Sequence, residues 1–201
     1  MSSDSSEMAN VDPRVRRTRQ QLGEAFQAAV WAKGFQAVTV QDIAARAGVN
    51  RTTFYLHFPD KFALAEYVIG QTARQAVAEH LPDIARLTPA NLRKLIFMVF
   101  EFVRRSNAPN APHDPQLEVL VEQQVRQQIQ ALLQQGLQHL QAPAAAQLAA
   151  TAASWAIYGL AQQWQRDGQQ PPIDQQVDRV LPLLVALLGL NEPPAGDSRG
   201  N

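Results

Sequence analysis

Residues 39–61 read TVQDIAARAGVNRTTFYLHFPDK, and this stretch predicts two short helices joined by a tight turn. Thr39 precedes a short run in which apolar residues recur at helical spacing, and Asp42 follows Thr39 by three residues. This pattern is typical of the capped start of a helix. Gly48 ends that run, and Asn50 is a second capping residue that opens the next helix. Two short helices joined by a glycine-containing turn form a helix-turn-helix.

The second of these helices has an outward face that suits a groove of DNA. At 100° per residue, Arg51, Thr52 and Tyr55 share one arc, whereas Phe54 lies off that arc and faces the interior. Arginine offers paired donors to guanine, threonine offers a hydroxyl and a methyl, and the tyrosine phenol reaches a phosphate or a thymine methyl. The alternative is a packed three-helix cap with a solvated polar face.

These residues resemble the N-terminal DNA-binding domain of the TetR/AcrR family of bacterial transcriptional regulators. The resemblance extends from about Arg14 to Leu64 and includes TVQDIAARAGV followed by NRTTFYLHFPDKFAL. It implies repression of a target gene that is relieved when an effector moves the helix beginning at Lys61. Its core consists of Phe54, Tyr55, His57, Phe58 and Lys61.

The predicted DNA contacts come from four helices. His57 lies at the end of the second short helix, which we call the recognition helix, and Lys61 lies in the first turn of the helix that follows. A phosphate there would meet both hydrogen-bond donors and the positive end of a helix dipole. Arg16 and Arg17 lie near the start of the first helix, which the resemblance implies is beside the DNA backbone; a solvated basic start is the alternative. The full set is Thr39, Gln41, Arg51, Thr52, Thr53, Tyr55, His57, Lys61, Arg16 and Arg17.

Composition agrees with a globular helical protein that binds a polyanion through one end. The chain has 201 residues, of which 46% are hydrophobic and 18% charged, and it contains no cysteine. Its net charge is zero, yet residues 13–61 carry eight basic and three acidic side chains. This charge asymmetry predicts that the N-terminal third of the chain binds the nucleic acid. No apolar run approaches the ~20 residues that span a bilayer, and no secretory signal is visible, so we expect a cytoplasmic protein without a membrane partner.

Helical periodicity along the whole chain predicts an all-α protein, with an N-terminal three-helix helix-turn-helix domain and a larger C-terminal helical domain. We expect a disordered leader at 1–11 and the DNA-binding domain at 12–60. An effector-binding and dimerisation domain follows at 61–190, and a disordered tail at 191–201. A long helix capped by Asp60 links the two domains.

The last two predicted helices look too apolar for the surface of a monomer. Small residues follow one another at helical spacing in the first, and leucine and valine form a stripe in the second. The resemblance implies that these helices pair with those of a second copy as a four-helix bundle. Pro182 predicts a kink near Asp178. The predicted dimer interface is Ala149, Ala152, Ala156, Val177, Leu181, Leu184 and Leu188.

A small-molecule effector of unknown identity is the third expected partner, beside double-stranded operator DNA and the second copy. Aromatic residues at this spacing also suit a core, but four of them form the predicted effector pocket: Phe97, Phe100, Trp155 and Tyr158. An effector-independent dimer whose C-terminal domain only dimerises is the alternative function.

An enzyme is the remaining alternative, and it finds little support in the sequence. The four histidines are scattered without metal-ligand spacing, and neither a glycine-rich phosphate loop nor a nucleophile elbow occurs. We therefore predict no catalytic residues, no metal and no cofactor.

Overall fold

The computed structural model describes residues 12–82, 86–107 and 114–190. Within these ranges the helix is the only regular secondary structure, so the all-α prediction is confirmed. The predicted leader at 1–11 and tail at 191–201 lie outside the described residues. The helices are α1 Pro13–Lys33, α2 Val40–Ala47, α3 Arg51–His57, α4 Lys61–His80, α5 Pro89–Ser106, α6 Pro115–Leu137, α7 Pro143–Arg166 and α8 Ile173–Leu187.

Side-chain caps begin both helices of the helix-turn-helix. Thr39 and Asp42 form a capping box: the Thr39 hydroxyl accepts from the Asp42 amide at 3.2 Å, and the Asp42 carboxylate accepts from the Thr39 amide at 2.8 Å. Asn50 accepts from the Thr53 amide at 2.7 Å and begins α3. Gly48 ends α2 in the left-handed conformation, with φ 71° and ψ 25°, which glycine adopts without a steric penalty. The predicted boundaries of α2 and α3 therefore have a local chemical cause.

Contacts divide the chain into two compact units. Of the described residues, the N-terminal unit comprises 12–72 and 114–124, and the C-terminal unit comprises 73–82, 86–107 and 125–190. The division passes through α4 between Thr72 and Ala73, and through α6 between Gln124 and Val125. Two helices thus contribute residues to both units, whereas the sequence placed the boundary before α4.

The N-terminal unit has a core drawn from each of its helices. Leu22 of α1, Ile43 of α2, Phe54 of α3 and Leu64 of α4 are fully buried. Leu117, near the start of α6, is partly buried against the same cluster. Because Phe54 faces this core, the rest of α3 is turned outward, as the periodicity predicted.

The C-terminal unit is built around α5, which packs against α7 and α8. At its edge, Arg93 of α5 donates to Asp178 at 2.8 Å and to Asp174 at 3.1 Å, both on α8. These contacts tie the helices together at the surface, but they are exposed ion pairs and add little stability beyond the packed core.

Gly136 and Pro182 both lie inside helices. A Cβ on Gly136 would come 2.6 Å from the Leu87 Cβ, so this glycine permits close packing and does not interrupt α6. Pro182 lies within α8, which continues to Leu187. None of the helices in the described part has an apolar segment long enough to cross a membrane.

Candidate nucleic-acid interface

Helix α3 exposes the row of side chains that the sequence predicted. Arg51, Thr52 and Tyr55 are exposed, while Phe54 between them is buried. Arg51 Nη2 donates to the Tyr55 hydroxyl at 3.4 Å, and its guanidinium carbon lies 6.0 Å from the centre of the Tyr55 ring. The two side chains therefore occupy one patch, where paired donors and a phenol can meet a base edge or a phosphate together.

Two of the predicted threonines take part in helix caps. The Thr53 hydroxyl donates to the Asn50 carboxamide oxygen at 2.9 Å, and the Thr39 hydroxyl donates to the Asp42 carboxylate at 2.5 Å. Both hydroxyls thus orient the helices on which they lie. Gln41 is exposed in the first turn of α2.

Lys61 has a different setting from the one the sequence suggested. Its ammonium donates to the backbone carbonyls of Phe35, Gln36 and Val38, at 2.9, 3.2 and 3.0 Å. It also lies 4.5 Å from the centre of the Phe35 ring. An ammonium has three hydrogens to donate, and all three have acceptors inside the domain. We therefore replace the phosphate role with a positioning role: Lys61 fixes the loop that leads into α2.

Asp114 holds the same loop from the start of α6. One oxygen of its buried carboxylate accepts from the Gln36 amide at 3.1 Å, and the other accepts from the Gln116 amide at 3.0 Å at the helix N-terminus. Sequence reasoning missed this residue, although an aspartate directly before Pro115 is a cap signal.

His57 and the arginines of α1 complete the basic side of this unit. Arg16 and Arg17 are exposed, and His57 is half-buried. Burial lowers the pKa of His57, and the charge of Arg19 lowers it further. Arg19 was not among the predicted contacts. The signal that could have found it is its position on the apolar face of α1, three residues before Leu22.

One of the acidic groups near this interface is already neutralised. Lys33 donates to Asp42 at 2.6 Å, and this ammonium, together with the Thr39 groups, holds the pKa of Asp42 well below its usual range. The Asp42 carboxylate thus pairs with Lys33 and caps α2 through Thr39. It adds little negative potential that would repel a phosphate.

The four residues of the predicted effector pocket have different surroundings. Phe100 and Tyr158 are buried in the core, and the Phe100 ring lies 5.5 Å from the Trp164 ring. Phe97 is half-buried against the same core, whereas Trp155 is 55% exposed with a guanidinium carbon, that of Arg126, 3.5 Å from its ring centre. In the described ranges, no group of three metal-ligating side chains is placed to hold an ion.

The predicted dimer residues divide into two sets. Val177, Leu184 and Leu188 are buried in the core of their own protomer, because α8 turns this stripe inward. Ala149, Ala156 and Leu181 are partly buried, and Ala152 is exposed. The apolar side chains left outside are neighbours of the predicted ones: Leu148 and Trp155 on α7, and Leu183 and Leu187 on α8.

Comparison with known proteins agrees with the geometry of α2 and α3. The profile of the bacterial regulatory proteins of the tetR family matches residues 28–68. Residues 28–68 therefore carry a DNA-binding segment of the TetR-family type. An uncharacterized HTH-type transcriptional regulator of Bacillus subtilis, YerO, is 39% identical to it over 77 residues, which is 36% of this chain and 26% of that protein. The match thus spans about a quarter of the length of that relative.

Solved structures show that the likeness in fold extends beyond the matched segment. FadR of Thermus thermophilus, solved with lauroyl-CoA, superimposes with a TM-score of 0.57 and 20% identity, covering 90% of this chain and all of that one (100%). A TetR-family regulator from Streptomyces coelicolor gives a TM-score of 0.55 and 18% identity, covering 89% and 97%. The predicted TetR-family resemblance of the matched segment and the predicted all-α fold are confirmed.

Proposed function

We propose that this protein is a homodimeric transcriptional regulator of the TetR family that binds a palindromic operator through α3. On this proposal it acts as a repressor in the cytoplasm, and a small-molecule effector releases it from the operator. The observation that carries the DNA-binding part is the exposed row of Arg51, Thr52 and Tyr55 on a short helix that is anchored by Phe54 and capped by Asn50.

The roles within α3 follow from which groups can distinguish bases. A guanidinium reads a guanine edge with two parallel donors, whereas single donors to phosphate carry no sequence information. Arg51 therefore contributes specificity, Tyr55 contributes a phosphate or base contact, and Arg16 and Arg17 contribute attraction to the backbone. This division makes the four residues separable by experiment.

Arg51→Ala is expected to cost on the order of 1–3 kcal/mol on the operator and to relax base preference at one position in each half-site. The measurement is binding-site selection from random DNA, repeated with the variant. Arg166→Ala is the matched control, since Arg166 is exposed at the end of α7 in the C-terminal unit. Equal reductions in affinity on every sequence would contradict a base-reading role for Arg51.

A two-fold symmetric dimer requires a two-fold symmetric site, so the same selection tests the operator. We expect a palindrome whose half-site centres are roughly 34–36 Å apart or a small multiple of that distance. Recovery of only single asymmetric half-sites would count against the homodimer.

The effector part rests on the fold. FadR of Thermus thermophilus binds lauroyl-CoA in its solved structure, and this chain shares its architecture at 20% identity. From this likeness we propose that the chain responds to a ligand, and we do not specify which ligand. The test is a panel of apolar and amphipathic small molecules, scored for both thermal stabilisation and release of bound operator.

A second candidate function is an effector-independent dimer whose C-terminal unit only dimerises. The burial of Phe100, Tyr158 and Trp164 in one packed core favours it, and the rings of Phe100 and Trp164 pack against each other at 5.5 Å. Operator release by any stabilising compound would exclude this candidate. Stabilisation without release would support it.

A further inference from the structure

Arg19 differs from its exposed neighbours Arg16 and Arg17, because it lies on the core-facing row of α1. It is half-buried, and it precedes Leu22 and Phe26 by three and seven residues, so the three side chains share one face. A charged group on an apolar row requires a compensating contact. The surroundings of Arg19 therefore define its role.

Two aromatic rings hold the guanidinium of Arg19. Its central carbon lies 5.3 Å from the centre of the Phe58 ring and 5.8 Å from that of the Tyr67 ring. Phe58 directly follows the last residue of α3, and Tyr67 lies on α4. Arg19 is thus fixed relative to three helices at once. A stacked guanidinium gives up little freedom when its edge binds a planar or tetrahedral anion.

The charge of Arg19 has no acidic partner within the described ranges. The ion pairs of the structure involve other residues, and the buried Nε of Arg19 has no hydrogen-bond partner there. Its charge acts instead on His57, whose pKa is lowered first by burial and then by this guanidinium. The two groups are near enough for their charges to interact, an arrangement that an anion would stabilise.

We propose that Arg19 binds a phosphodiester of the DNA backbone together with His57, while Phe58 and Tyr67 hold the guanidinium in place. This inference rests on the proposed DNA binding. A phosphate can accept from the guanidinium edge and from the imidazolium in charge-assisted hydrogen bonds. Because Phe58 follows α3 directly, the contact anchors the C-terminal end of the recognition helix. It adds affinity without base preference.

A purely structural role would have Arg19 join α1 to α3 and α4 through the ring contacts alone. Arg19→Met separates the two roles, because methionine keeps an unbranched side chain that packs well on aromatic rings but carries no charge. Arg19→Lys keeps the charge and gives up the planar fork. Arg166→Met is the matched control, removing an exposed arginine of the C-terminal unit.

The experiment measures duplex affinity over a range of salt concentrations by fluorescence anisotropy. We expect the slope of log K against log salt to fall by about 0.9 for each phosphate that is no longer neutralised, and by about twice that in a dimer. Arg19→Met should show this reduced slope equally on operator and unrelated duplexes, whereas Arg19→Lys and Arg166→Met should keep most of the wild-type slope. An unchanged slope in a folded Arg19→Met protein would overturn the proposal.

If circular dichroism shows that Arg19→Met does not fold, a measurement on the wild-type protein tests the proposal instead. The pKa of His57, followed by NMR in the wild type, should rise when duplex is added, because a phosphate favours the charged imidazole. A His57 pKa that does not respond to duplex would overturn the shared site. A wild type that binds no duplex at low salt would instead overturn the proposed function itself.

Discussion

Replacing both Leu183 and Leu187 by glutamate is expected to turn a dimer into a monomer and to weaken operator binding about 10²–10⁴-fold. The two leucines are 66% and 44% exposed and lie four residues apart, so they form one apolar row on α8. Leu148 and Trp155 give α7 a similar row at a spacing of seven residues. Exposed apolar rows of this kind mark interaction sites.

The physical reason for the large effect is the loss of a second half-site. A glutamate carboxylate buried at an interface without a partner costs several kcal/mol, which is enough to separate the two subunits of the proposed dimer. Each monomer would then bind one half-site alone and would forgo the gain that comes from binding two linked sites. Sedimentation velocity measures the oligomeric state, and operator titration measures the affinity.

Two control variants sharpen this test. Gln147→Glu adds a carboxylate to α7 one residue from Leu148, on another face of the helix, and should leave the dimer intact. Leu184→Glu should unfold the C-terminal unit, since Leu184 is 1% exposed within its own protomer. If the double leucine variant sediments as the wild type does, the interface lies on another surface.

The contrast between Leu184 and Leu183 shows what the sequence could predict of this region. The apolar periodicity of α8 correctly predicted a helix that faces something apolar. A continuous run such as Leu183, Leu184 and Val185 does not indicate which side faces the protomer's own core. That choice depends on α5, whose contacts with α8 draw Val177 and Leu184 inward.

The recognition helix was predictable because its determinants are local. Thr39 with Asp42, Gly48, and Asn50 fix the ends of α2 and α3, and the period of the side chains fixes which face is exposed. Arg19 is the opposite case. Its contacts with Phe58 and Tyr67 join residues about 40 and 50 positions apart, and no local pattern reports such pairs.

Lys61→Met is expected to lower the free energy of unfolding of the N-terminal unit on the order of 1.5–3 kcal/mol, the usual contribution of hydrogen bonds to a charged group. Methionine keeps packing near the Phe35 ring but leaves the carbonyls of Phe35, Gln36 and Val38 without their donor. The loop that positions α2, and through it α3, would loosen. Urea unfolding followed by circular dichroism measures the change in stability.

Lys33→Met is the matched control, because Lys33 is also a lysine of this unit but makes a surface ion pair with Asp42, whose side chain is 38% exposed. Such pairs add little stability, so the midpoint of unfolding should scarcely move. Salt dependence then separates the two roles considered for Lys61. A positioning residue lowers stability and operator affinity while the salt slope on unrelated DNA stays near the wild-type value. A phosphate-binding lysine would reduce that slope by about one unit per phosphate and leave the unfolding midpoint unchanged, and that result would restore the role the sequence first suggested.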